Sequence, residues 1–199
     1  MLRRGDTSSL VVDRLCDWAK GRYAAVACSY LDFAAQKDQS PTDILSSLLR
    51  QVVGRLEEIP PRIVEAFQGE EGVIGGRKLE LGDIMEMLQD ISSSRPTFIC
   101  IDALDECLAE NRAKLLDSLK RILHKSPTTR IFLAGRLHIR DEVEKSLAEG
   151  LVAVLVTPTK DDIIEFLRAK LAEDTIPDAM DKTLEKDIIK HICDTVSEM

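Results

Sequence analysis

The chain has 199 residues, 44% apolar and 31% charged, with a formal net charge of −8 and a pI near 5.0. That length and apolar content suit one domain with a sizeable core, and the acidic balance argues against nonspecific binding to nucleic acid or to an anionic membrane. Five widely spaced cysteines without metal-ligand spacing point to reduced thiols; with no secretion signal and no bilayer-length apolar run, a cytoplasmic protein is expected.

In chain order, Ser8 or Ser9 is placed to cap a helix whose stripe is Leu10, Val11, Val12, Leu15, Cys16, Trp18 and Ala19, and Gly21 ends it. Ala24 to Tyr30 is short and nearly all apolar, and reads as a buried strand. Ser40-Pro41-Thr42-Asp43 is a helix start: a serine cap, proline at the first helical position and an acid three residues after the cap. Ile44, Leu45, Leu48, Leu49, Val52, Val53 and Leu56 then make one face of that helix apolar. Pro60-Pro61 breaks it and opens a shorter helix through Phe67; Gln68 to Lys78, with four glycines, reads as a mobile loop. A helix from about Leu81 to Ile91 follows, its methionines read as core filler.

Phe98-Ile99-Cys100-Ile101 is too short for a helix and fits a strand buried on both faces. It ends in Asp102, and Asp105 and Glu106 follow. A carboxylate at the carboxyl end of a buried strand lies where open α/β sheets place their ligands, and in nucleoside-triphosphatases this is the Walker B position. A core strand followed by a solvated acidic turn would give the same residues. Beyond it come a helix over about Ala109 to His124, a strand Arg130 to Ala134 ending at Gly135-Arg136, a short helix with Ile139, Val143 and Leu147 inward, and an apolar run, Leu151 to Val156, read as a third buried strand in this half. Two helices close the chain, one opened by Thr159 and Asp162, the other carrying Leu184, Ile188, Ile192 and Val196. Strands alternating with helices imply a parallel sheet covered on both faces. Such a sheet would align Asp102, Asp105, Glu106 and Arg136 along one rim, where an acid could hold a metal and an arginine could meet a terminal phosphate. An ordinary loop ion pair is the plainer alternative.

The series Ser40-Pro41-Thr42-Asp43-Ile44-Leu45, Phe98 to Glu106, and Arg130-Ile131-Phe132-Leu133-Ala134-Gly135-Arg136 resembles the NACHT domain, and more narrowly the nephrocystin-like modules of fungal NOD-like receptors, in the STAND class of signalling ATPases and GTPases. The likeness runs from about Thr7 to Met199. It implies a three-layer, P-loop-NTPase-like α/β fold and a nucleotide-controlled oligomerisation switch using ATP or GTP with Mg²⁺. Asp102 then resembles the metal ligand, Asp105 and Glu106 the water-orienting acids, and Arg136 the sensor arginine. The nucleotide-binding core is expected over 1–174, with a helical region beginning over 175–199. Protein partners are expected, either further copies or intact NACHT receptors, and neither nucleic acid nor membrane.

The chain departs from that pattern in one large respect. No G-x-x-x-x-G-K-[ST] occurs, and Arg3-Arg4-Gly5-Asp6-Thr7 stands in its place, so the first (Walker A) strand and the backbone cradle for phosphates are missing. Leu137 also replaces the proline that usually follows the sensor arginine. In the related fold the missing strand lies between the Arg130 and Leu151 strands, so either those two pair directly or an apolar edge stays open. Three readings follow: a NACHT remnant with little hydrolysis of its own that acts as a binding or regulatory partner; a competent switch whose loop lies in upstream sequence; or an unrelated enzyme or phospho-acceptor using Asp102. The last is weakened by the single acid in Ser29-Tyr30-Leu31-Asp32 and by the isolation of His124, His138 and His191.

Overall fold

The computed structural model describes residues 5–37, 39–65, 79–147, 150–157, 159–172 and 182–197. The chain divides into a larger unit, Arg4–Leu151, and a smaller one comprising Val152–Met199 and Met1–Arg3. The mobile loop expected over Gln68 to Lys78 and the boundary expected at 174–175 lie outside the described residues.

In the larger unit α1 (Gly5–Ala19) begins several residues before the serine caps expected for it. Gly21, at φ +69°, makes the left-handed turn that leads out of it. β1 (Ala25–Tyr30) follows, then α2 (Pro41–Val53), whose start is a capping box as the sequence indicates. The Asp43 N–H donates to Ser40 Oγ at 3.2 Å, and the Ser40 N–H donates to the Asp43 carboxylate at 3.3 Å. A helical segment spans 61–65. Then come α3 (Leu81–Ser94), β2 (Thr97–Asp102), α4 (Ala109–Lys125), β3 (Thr129–Leu133) and α5 (Arg140–Ser146).

The three strands form a parallel sheet in the order β1-β2-β3, with Tyr30 opposite Asp102 and Ile101 opposite Leu133. Alternation along the strands sorts the two faces. Ala25, Ala27, Ile99 and Ile101 join Leu45, Leu48 and Leu49 of α2, Ile84 and Leu88 of α3, and Leu115, Leu116 and Leu119 of α4 in one buried core. Truncating any one of these leucines to alanine is worth about 2–5 kcal/mol. The opposite face carries Phe98, on which Trp18 of α1 packs edge-to-face at 5.3 Å. Helices thus cover both faces, as a parallel sheet requires.

The two edges of this sheet are treated differently. On β1, the Gln51 side-chain amide pairs with both backbone groups of Cys28: the Cys28 N–H donates to Oε1 at 2.9 Å, and Nε2 donates to the Cys28 carbonyl at 2.8 Å. A side chain here occupies the place of a neighbouring strand. On β3, no strand lies beyond the outer edge among the described residues. The strand expected at Leu151 to Val156 does not form; residues 151–157 have no regular structure, and Val152 is 84% exposed. A parallel strand holds its shape only through ladder bonds to a neighbour, and this run has none among the described residues.

In the smaller unit α6 (Lys160–Ala172) packs on α7 (Lys182–Ser197), and α6 is opened by Thr159, whose Oγ1 accepts the Asp162 N–H at 3.2 Å. On α6, Ile163, Ile164, Phe166, Leu167 and Leu171 are only half-buried.

β2 is buried deeply enough to perturb its own thiol: burial pushes Cys100 up from 9.0 to about 12. The folded state therefore favours the neutral thiol. Stability from this group is complete below the unfolded thiol's pKa, near 9, and is lost as pH rises toward 12. Denaturant midpoints measured from pH 8 to pH 11 should fall, and Cys100→Ala should make that fall shallower.

Candidate functional site

The four sequence-selected residues lie at the carboxyl ends of β2 and β3, and three of them, Asp105, Glu106 and Arg136, are in contact. Asp102 is the last residue of the strand and is buried. Next, Ala103 takes a left-handed conformation, φ 54° and ψ 42°, the one non-glycine residue with positive φ among those described. Such a residue costs about 1–2 kcal/mol and persists only where its surroundings hold it. Here they do: the Leu104 N–H donates to Ala134 O and the Ala134 N–H to Ile101 O, both at 2.9 Å, so the β2–β3 ladder continues past the bend. The bend turns Leu104–Glu106 into a single 3-10 turn, with Leu104 in the core and the two acids on the rim. Gln36 Nε2 ties down the Glu106 carbonyl at 2.9 Å.

Arg136 reaches this turn from the end of β3. Its backbone N–H donates to Asp105 Oδ1 at 3.1 Å, its Nε lies 3.2 Å from Asp105 Oδ2, and its Nη2 lies 3.5 Å from Glu106 Oε1. The Asp105 side chain is 3% exposed and that of Arg136 57%. The approach is close at Gly135: a Cβ there would stand 2.8 Å from Ile139 Cδ1, which would have to shift, and in ordinary contact with Asp105 Oδ1 at 3.4 Å. The common rim inferred from the strand ends is therefore present, and the guanidinium on it is engaged by two carboxylates.

Asp102 has a different partner. Ser8 Oγ, buried in the first turns of α1, donates to Asp102 Oδ1 at 2.7 Å. The sequence shows Ser8 only as a possible helix cap; its role becomes visible once α1 is known to cross the end of β2. Tyr30, opposite Asp102 on β1, is about half exposed, and burial of the rest of its ring raises its phenol above the ordinary range.

A Mg²⁺-bound nucleotide needs a nest of backbone N–H groups for its phosphates and oxygen ligands for the metal. Among the described residues no group of three or more His, Cys, Asp or Glu comes together to hold a metal. α1 opens on Gly5-Asp6-Thr7, with neither the glycine-rich turn nor the lysine that would clasp a phosphate. The residues present do not fit that ligand. They satisfy one another instead, serine on aspartate and arginine on two acids.

Comparison with known proteins places this architecture. The fold is that of an α/β domain with a parallel sheet between helices, and it superposes on part of the Orc1 protein of Aeropyrum pernix, solved in complex with DNA, with a TM-score of 0.51 at 21% identity, covering 85% of this chain and 41% of that one. A Walker-type ATPase of Pyrococcus abyssi gives a TM-score of 0.47 at 19% identity, over 96% of this chain and 55% of its own. This chain thus spans less than two thirds of either. No curated protein matches. The model of the family described as nephrocystin 3, N-terminal, matches residues 7–136, and the chain belongs to that family. The NACHT-type resemblance stands with it.

The burial of Asp105 against the exposure of Arg136 separates two roles for their contact. Asp105→Ala should cost about 2 kcal/mol, since it strips a buried acceptor from the Arg136 N–H as well as from the guanidinium. Arg136→Ala should cost less than about 1 kcal/mol, the range of exposed ion pairs. Urea unfolding of the two variants measures both; equal costs would mean that the side-chain pair, not the backbone bond, holds the loop.

Proposed function

We propose that this chain is a degenerate NACHT-type signalling module that works through protein contacts, with little or no hydrolysis of nucleoside triphosphate. The observation that carries the reading is the mutual satisfaction of the rim: Asp102 bound by Ser8, and Arg136 held by Asp105 and Glu106, with no phosphate nest beside them among the described residues. Such a rim keeps the form of a switch domain, while the groups that would answer to a γ-phosphate answer to each other. Titration calorimetry with Mg·ATP and Mg·GTP, alongside phosphate release, tests it. The expected result is no turnover and no micromolar binding; micromolar binding with turnover abolished by Asp102→Ala would defeat the proposal.

Family membership supports the wider role, a cytoplasmic module of the kind that serves fungal innate immunity or self/non-self recognition. Its partners in this reading are further copies or intact NACHT receptors. Two features support association: the outer edge of β3, on which no strand lies among the described residues, and, separately, the exposed apolar run Val152, Val154, Leu155 and Val156. Light scattering should find concentration-dependent self-association, weakened several-fold by Val154→Lys with Val156→Lys. A strictly monomeric protein up to about 100 µM would remove self-association, since contacts weaker than that fall well short of the usual specific interface.

A second reading is favoured by the contact between Ser8 and Asp102. That bond brings the start of α1 to the carboxyl end of β2, so a glycine-rich loop preceding α1 in a longer chain would enter beside the Walker B acid. Asp102 would then contribute a metal ligand, Glu106 or Asp105 would orient water, and Arg136 would have to leave its acids to sense phosphate. Fusing such a loop ahead of Gly5 and repeating the calorimetry separates the two readings.

A further inference from the structure

The opposite end of the sheet holds a second concentration of charge, of the other sign. β1 and β2 enter the sheet side by side, with the Ala25 N–H donating to Pro96 O at 2.9 Å. Beside this entry lies a cavity of about 630 Å³, lined by Lys20, Arg22, Arg55 and Arg95, with Glu57 as its one acid. Four cations against one carboxylate is unexpected on a chain whose net charge is −8.

Arg95 is the telling residue. It is 4% exposed, yet among the described residues no carboxylate pairs with it. Its Nη1 and Nη2 both donate to the Arg55 carbonyl, at 3.2 and 3.3 Å, its guanidinium lies 4.2 Å from the Tyr23 ring centroid, and its Nε has no hydrogen-bond partner. A neutral carbonyl and a ring face recover only part of the hydration that a buried guanidinium gives up. Buried arginines are ordinarily matched by an anion, and none of the described side chains provides one here.

The surroundings are arranged for an anion from outside. Arg22 stacks on Trp18 at 4.6 Å and donates to the Trp18 carbonyl, which holds its guanidinium in place. The Arg55 side chain makes no hydrogen bond or ion pair among the described residues and is exposed at the cavity wall. Lys20 is partly neutralised by Asp17 at 2.7 Å, so the arginines dominate. Planar guanidiniums present paired N–H donors that match the oxygens of a phosphate group, and Tyr23 adds a hydroxyl-bearing ring to the same wall. The volume falls within the range of small-ligand sites.

We propose that this cavity at the amino end of the sheet is a binding site for a small phosphate-bearing anion, with Arg95 as its buried anchor and Arg55 and Arg22 as its outer clamps. The site is independent of the Asp102 rim, because none of its lining residues belongs to that rim. A plain structural role for Arg95, clamping the 54–57 loop through the Arg55 carbonyl, accounts for two of its bonds but not for the neighbouring arginines.

Titration calorimetry with pyrophosphate and with inorganic phosphate, each against potassium chloride at equal ionic strength, tests the site on the whole chain. Saturable binding of one pyrophosphate per chain is expected, with a rise in thermal midpoint that chloride does not reproduce. Arg55→Gln should weaken it about tenfold, in line with loss of one charge-assisted contact, and Arg22→Gln by a similar factor. Both side chains lie at the surface, so these variants fold whether or not Arg95 can be replaced. Asp102→Ala should leave the affinity unchanged. The proposal is overturned by absence of saturable binding, by binding that Arg55→Gln and Arg22→Gln leave intact, or by binding that Asp102→Ala removes. Binding of inorganic phosphate equal to that of pyrophosphate supports a single-phosphate ligand; preference for pyrophosphate supports a longer one.

Discussion

β2 is the constraint on which this molecule depends. As the middle strand it spends its backbone bonds on both neighbours, and its side chains build both faces of the sheet. Because it runs parallel to β1 and β3, its carboxyl end sits beside theirs, and the chain must leave the sheet there without losing the ladder. The left-handed Ala103 accomplishes this: it bends the chain by one residue while Leu104 and Ala134 keep bonding across the bend. The positions of Asp105 and Glu106 follow from that bend, and Arg136 is brought to them by the matching end of β3. An arginine thirty-one residues away thus meets two acids through topology, with no local signal required.

Much of this was legible in the sequence because the signals were local and of one kind. The Ser40-Pro41-Thr42-Asp43 start carries its own hydrogen-bonding logic, and it forms as the residues indicate. The apolar runs at Ala25–Tyr30 and Thr97–Asp102 are short, bounded and flanked by helices, and each becomes a strand. The convergence of Asp105, Glu106 and Arg136 could be read because parallel strands leave few arrangements for their ends. Ser8 was not readable in the same way. Nothing in a serine near a helix start reveals that the helix crosses a strand end ninety-four positions later, and that crossing alone makes it the partner of Asp102.

The run at Leu151–Val156 shows the limit from the other side. Its composition is that of a buried strand, but composition specifies only what a segment tolerates. A strand also needs a neighbour with free donors and acceptors in register, and among the described residues this one has none. The contrast with β1 is instructive. There the open edge is closed by a single glutamine amide, which satisfies both backbone groups of Cys28. One polar side chain protects an edge that would otherwise recruit another strand; on β3 the Arg130 guanidinium covers the Thr129 carbonyl at 2.9 Å, and among the described residues no side chain there satisfies both backbone groups of one residue.

Charge completes the picture. The larger unit places Asp102, Asp105 and Glu106 at the carboxyl end of the sheet and a group of arginines at the amino end, although the chain as a whole is acidic. At the carboxyl rim Asp102 is bonded by the Ser8 hydroxyl and Arg136 is held by Asp105 and Glu106, so a ligand would have to displace the partners already there. At the amino end Arg95 is buried with no carboxylate partner among the described residues, and the cations around the cavity outnumber its one acid. Desolvation penalises a lone buried charge far more than a paired one. By that measure, the end of the sheet remaining open to an anion is the one where the family resemblance directs no attention.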